Sequence, residues 1–208
     1  MTIKKILLVE GRDDEHVLKH FSSARGGPHF DEVRAHEGVA NLLDAIPVYL
    51  KAAGDSAIVG IVVDADADMP ARWQALRDRI VQLGYSAVPD EPVADGTILD
   101  PSEGAFLPRV GIWVMPDNQS RGILEDFLRF LIPADSQLFE HVTASVASIS
   151  DGERRFSPAG QPKALIHTWL SWQEEPGKPL GTAITARYLD ANLPQGNVLA
   201  AWLQRLFV

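Results

Sequence analysis

Two stretches of this chain join the profile of a buried strand to carboxylates at fixed spacing. In the first, Ile6-Leu7-Leu8-Val9 runs straight into Glu10-Gly11-Arg12-Asp13-Asp14. In the second, Ile58-Val59-Gly60-Ile61-Val62-Val63 runs into Asp64-Ala65-Asp66-Ala67-Asp68. Glu10 and Asp14 are four residues apart, so a helix that begins just after Gly11 turns both to the same side. Asp64 and Asp66, two apart beyond a strand end, can both point at one ion. Carboxylates crowded together repel, and the repulsion is relieved by a cation or by protonation of some of them. An all-oxygen donor set without His or Cys favours Mg2+ or Mn2+ over zinc. Two such ions suit an in-line displacement at phosphorus, where they stabilise the attacking and leaving oxygens together.

For these acids to form one site, the two strands must lie side by side and parallel, because ligands of open parallel sheets bind beyond the carboxyl ends of the strands. The hydrophobic pattern supports that arrangement. Residues 5–9 read as a first strand and 12–22 as a helix with Val17, Leu18 and Phe21 on one face, ended by Gly26-Gly27-Pro28. Residues 30–36 alternate loosely, as a second strand. A helix is expected over 39–53, where Pro47 should kink or split it. The run 56–63 shows no alternation, the mark of a strand buried on both faces at the centre of a parallel sheet. Pro70 suits the first turn of the next helix, and Gly84 its end. Residues 89–108, rich in Pro, Gly, Asp and Glu, read as a loop or short edge hairpin, followed by a strand at 110–115 and a helix at 123–131. The expected fold is α/β, a Rossmann-like open, mostly parallel sheet flanked by helices. After Pro133 the patterns are helical, over 137–150, 162–174 and 197–207. This divides the chain into an α/β domain, 1–132, and a helical C-terminal extension, 133–208, packed on it.

Composition narrows the chemistry. With 46% hydrophobic and 23% charged residues, the 208-residue chain can bury a full core. Nineteen basic against 28 acidic residues give a net charge of −9, a surface that repels nucleic acid unless a local basic strip or bound metal intervenes. The absence of cysteine excludes disulfides, a thiol nucleophile and an iron–sulfur cluster, and suits a cytoplasmic location. No apolar run approaches the roughly 20 residues of a membrane span.

Val9-Glu10-Gly11 at the end of one strand, with Asp64-Ala65-Asp66 at the end of a later one, resembles the Toprim domain. That domain is shared by primases, topoisomerases, small nucleases and the OLD-type (overcoming lysogenization defect) nucleases. The resemblance covers roughly residues 3–132. A narrower likeness is to stand-alone bacterial Toprim-like proteins. It is carried by Gly111-Ile112-Trp113-Val114-Met115-Pro116-Asp117-Asn118, Gly122-Ile123-Leu124-Glu125-Asp126, Lys163 and His167-Thr168-Trp169-Leu170. OLD-type nucleases place an acid four residues after the first glutamate, which Asp14 matches, and carry a later glutamate and a lysine near the metals, matched here by Glu125 and Lys163. The resemblance therefore implies Mg2+ or Mn2+, as two ions, held by Glu10, Asp14, Asp64, Asp66 and Glu125. It implies that Glu10 doubles as general base or acid and that Lys163 stabilises charge on a phosphate. The implied activity is nuclease or nickase chemistry on nucleic acid. There is no cysteine for a primase-type zinc module and no room for the tyrosine-bearing domains of a topoisomerase. The ATPase domain of OLD nucleases is also missing, which leaves an ATPase or other protein partner open.

Plainer roles compete for the same residues. Glu10 can start a helix, and Asp64, Asp66 and Asp68 can cap one ahead of Pro70. Asp13 reads as solvated, Asp117-Asn118 as a turn, and Glu125 and Asp126 as ordinary first-turn acids. Lys163 fits a surface lysine, and His167 and the C-terminal tryptophans fit core or interface positions. Beside the enzyme stands a second function, a non-catalytic Mg2+ or nucleotide-binding subunit that works with a partner, which the net charge favours. A receiver-like phosphoacceptor is a third, although it would have one aspartate where this chain has the Asp64-x-Asp66 pair.

Overall fold

The two apolar runs that lead into the acids do pair, in parallel. In the computed structural model, which describes residues 3–208, strand β1 (Lys4–Val9) lies between β2 (Glu32–Ala35) and β3 (Ala57–Asp64). Strand β5 (Arg109–Met115) adds to the far side of β3, and β4 (Thr97–Leu99) closes that edge. The sheet order is β2-β1-β3-β5-β4, with every pairing parallel except β4 against β5. β3 is thus the central strand, as its unbroken apolar run requires. The chain moves from β1 outward to β2 and then returns to the other side of β1 as β3, so the topological switch point falls between β1 and β3. The register pairs Val9 with Val62 and Asp64 with Met115, which brings Glu10 and Asp64 to the same edge.

Strand alternation sends side chains to two cores. Leu7, Val9, Val62, Trp113 and Met115 face one core, and Ile6, Leu8, Ile61, Val63, Ile112 and Val114 the other. The second core is covered by α2 (Val39–Ala53) and α3 (Met69–Gln82), through Leu42, Leu43, Ile46 and Leu50 and through Trp73, Leu76 and Ile80. Pro47 does not split α2, which runs through it as one helix. One lost backbone hydrogen bond is outweighed by four buried apolar side chains on its inner face.

The first core lies beneath α1 (Arg12–Ala24), α4 (Leu124–Arg129) and the C-terminal helices α5 (Gln137–Ala147), α6 (Gln161–Ser171), α7 (Leu180–Thr185) and α8 (Pro194–Phe207). The residues after Pro133 therefore share a core with the sheet. Paired glycines let α8 approach it. A Cβ on Gly111 would stand 2.3 Å from Leu206 Cδ2, and one on its register partner Gly60 would stand 3.0 Å from Phe207. Trp169 and Trp202 are buried here, but His167 and Trp172 are exposed, so neither is a core residue. His167 follows Ile166 onto the outer side of α6. Among the described residues, no helix is long and apolar enough to cross a membrane.

Candidate functional site

The carboxyl edge of β1 and β3 gathers the acids. Glu10 leaves β1 directly, and its Oε2 accepts a hydrogen bond from the Asp64 backbone N–H at 3.4 Å, across the gap between the two strands. Gly11 is the N-cap of α1, and Asp14, one turn in, accepts the Gly11 N–H on Oδ2 at 3.0 Å. Asp14 is buried, and its Oδ1 has no hydrogen-bond partner. Asp64 ends β3, and its Oδ1 is likewise buried and unpartnered.

Glu125, in the first turn of α4, is 2% exposed and lies 3.6 Å from Lys163 Nζ on α6, a lysine whose side chain is 58% exposed. First-turn placement explains a carboxylate in water, not a buried one answered by a lysine from another helix. Asp66 sits apart from the buried group. It adopts a φ of 55°, a left-handed conformation that Asp tolerates better than most residues. Its backbone exchanges two 2.9 Å hydrogen bonds with Gly122, and its exposed carboxylate accepts from Arg72 Nη2 at 2.6 Å.

These placements sort the competing roles. Neither Asp64 nor Asp66 caps α3. That task falls to Asp68, whose Oδ1 accepts the Ala71 N–H at 3.0 Å. Asp13 is exposed. Asp126 caps α4 by accepting the Ile123 N–H, and Asp117 holds its own turn by accepting from the Gln119 and Ser120 backbones. Asn118 is buried and ties that turn to the sheet, accepting the Val114 N–H at 2.7 Å and donating to the Ala94 carbonyl.

The chain belongs to the DUF3226 family. That family's model, described as a protein of unknown function, matches residues 4–208. No curated protein and no solved structure matches. The match spans the sheet and the C-terminal helices together, so Glu10, Asp14, Asp64, Asp66, Glu125 and Lys163 all fall within it.

Electrostatics shows how tightly the acids crowd. Burial pushes the Asp64 carboxyl up to about 9, and the charges of Asp14, Glu10, Glu125 and Asp66 push in the same direction. Burial also raises Asp14 to about 7, against the stabilising Gly11 hydrogen bond and with the help of Glu10 and Glu125. Glu10 is raised by burial too, while the Asp64 N–H, Arg72 and Lys163 act to lower it. Two cations answer this negative charge, and Arg72 is the one the sequence pattern missed. Besides Asp66, it donates from Nε to the Asp64 carbonyl at 2.8 Å, so it binds both members of the Asp-x-Asp pair. Its only local signal is its place in the first turn of α3, four residues past Asp68. As the side chains stand, no three His, Cys, Asp or Glu among the described residues converge on a common point. Asp66 is turned to Arg72 and Glu125 to Lys163. A cleft of about 830 Å3 opens between α1 and β2, where Arg12, His16, Lys19 and Arg34 stand among Asp13, Glu15, Glu32 and Glu37.

Proposed function

We propose that the acidic edge binds Mg2+ or Mn2+, as one or two ions, and that the protein is a metal-dependent enzyme cleaving phosphodiesters of nucleic acid, in the manner of Toprim nucleases. One observation carries the reading: Asp14 and Asp64 each hold a buried carboxylate oxygen with no partner, at the switch point of a parallel sheet. Buried polar atoms are ordinarily satisfied, and two bare carboxylate oxygens beside further acids fit a cation. The donors are all oxygen, which suits a hard divalent ion. Glu10, Asp14, Asp64 and Glu125 would hold the ion or ions, with Asp66 joining once it leaves Arg72.

When bound, such ions supply Lewis-acid polarisation of a phosphoryl oxygen. Glu10, whose carboxyl burial raises above its ordinary value, takes a proton from the attacking water. Lys163 Nζ, largely exposed above Glu125, meets the charge that develops on the phosphate. The protein is incubated with supercoiled plasmid and Mg2+ or Mn2+, beside Glu10→Ala and Asp64→Ala. Metal-dependent nicking by the wild type alone is expected. No nicking, or equal nicking by all three, removes the proposal.

A second reading is a non-catalytic subunit that binds Mg2+ or a nucleotide and works with an ATPase or other protein partner. The Arg72–Asp66 pair favours it, since it neutralises one acid internally, as does the net charge of −9. DNA binding measured against salt separates the two, because a subunit of this kind shows no binding even at low salt with metal present.

A further inference from the structure

We infer that the groove between the turn after β5 and the start of α5 holds an unpaired nucleobase, flanking the phosphate that the acidic edge would engage. The inference rests on the phosphodiester reading of that edge and adds to it a single-stranded substrate and the place where its base sits.

The groove has a volume of about 480 Å3, and two of its wall residues, Pro116 and Asp126, sit against Gly122, the backbone partner of Asp66. Pro116, on its wall, follows Met115, the cross-strand partner of Asp64. Asp126 follows Glu125, and Arg121 precedes Gly122, whose backbone pairs with Asp66. A chain whose phosphate lies at the acids therefore has this groove as its neighbouring space.

The lining chemistry suits a base. Phe130, at the end of α4, is 42% exposed, and Phe139 of α5 lines the same space, with the Arg129 guanidinium 5.8 Å from its ring centre. Aromatic and guanidinium planes are the surfaces on which unpaired bases stack. Arg121 is exposed and enters none of the salt bridges among the described residues. Charge points the same way. The ionisable groups of the wall are Arg121, Arg129, Asp126 and Glu140, two of each sign, so the groove is neutral in a protein of net charge −9. A polyanion is repelled by most of this surface and can approach here. Bases stacked and paired in a duplex cannot enter such a groove, which makes the occupant single-stranded.

The test uses the full-length protein and a thymidine 12-mer with one central 5-iodouracil, with Ca2+ present so that binding is read without cleavage. Wild-type protein is expected to bind the oligonucleotide by fluorescence anisotropy, and light is expected to cross-link it to Phe130 or Phe139. Phe130→Ala, at a half-exposed position that leaves the core intact, should weaken binding about tenfold. It should bind an abasic 12-mer as well as the wild type does. No binding by the wild type, equal affinity of Phe130→Ala for the thymidine strand, or a cross-link outside the groove overturns the inference. Mn2+ binding followed by electron paramagnetic resonance reports the acidic edge separately. Normal Mn2+ binding with an indifferent Phe130→Ala removes the groove and spares the metal reading. A groove cross-link without Mn2+ binding does the reverse.

Discussion

Replacing Asp64 with Asn should make the metal-free protein more stable at neutral pH, although it removes a carboxylate at the heart of the edge. In the folded protein the Asp64 carboxyl is pushed from 3.8 up to about 9 by burial and by the acids around it. The unfolded chain releases that proton near 3.8, so between pH 4 and 9 the folded state binds more protons and loses stability as pH rises. Below pH 3.8 both states are protonated and the penalty is absent. The roughly three pH units between 3.8 and 7, at 1.36 kcal/mol each, set a ceiling of about 4 kcal/mol on the penalty at pH 7. Asp64 is only partly buried, and water reaching it brings the expected gain for Asp64→Asn to about 2 kcal/mol. In a chain of this length that raises Tm by about 4–8 °C. Thermal melts with EDTA at pH 4 and pH 7 measure it. The variant should match the wild type at pH 4 and exceed it at pH 7. Saturating Mn2+ should narrow the difference, because the ion stabilises the wild type by mass action. A variant that melts below the wild type at pH 7, or one whose advantage is the same at both pH values, refutes the reasoning.

Arg72→Ala should cost about 1 kcal/mol through the lost hydrogen bond to the Asp64 carbonyl, while tightening Mn2+ binding by releasing Asp66. Weaker Mn2+ binding by titration calorimetry would argue that Asp66 is no ligand. Asn118→Ala leaves the Val114 N–H and the Ala94 carbonyl unpaired and should lower stability by about 2–3 kcal/mol in urea melts. A loss under about 0.5 kcal/mol would mean that water replaces both bonds. Gly111→Val drives a Cβ to 2.3 Å from Leu206 Cδ2 and should cost about 1–3 kcal/mol. Faster amide exchange confined to α8 is its signature, and uniform exchange across the chain would point to a different cause.

Much of the frame was legible because each clue was local. The unbroken apolar run that became β3 has no room for an alternating, half-exposed face, so its central position follows from composition alone. The α2 boundaries followed from four apolar residues at helical spacing, and packing carried the helix through Pro47. What escaped was short or long-range. α7 is six residues long, fewer than two turns, and offers no period to read. β4, within the stretch read as a loop or short edge hairpin, has three residues and is ordered by antiparallel pairing with β5 rather than by its own pattern. The Asp66–Gly122 bridge and the Arg72 contacts join segments whose proximity only the folded sheet creates. His167 is not a core residue, because the apolar residues around it, Leu165, Ile166, Trp169 and Leu170, share an inward face that the residue itself does not.

The candidate site was legible for another reason, a conflict between levels of structure. Carboxylates do not ordinarily follow four buried residues into a sheet edge, since burial without pairing is costly. Where sequence and stability disagree in this way, function is the usual cause. Asp14 shows why the structural role of a residue need not exclude its chemical one. Its Oδ2 fixes the start of α1 by accepting the Gly11 N–H, which accounts for an acid in the first turn. Its Oδ1 is buried with nothing to accept, which capping does not explain. Had capping been the whole requirement, a residue that left no second oxygen bare would have served with less electrostatic strain. The two oxygens of one side chain thus separate the two roles: one holds the helix that positions the site, and the other is buried with no protein partner.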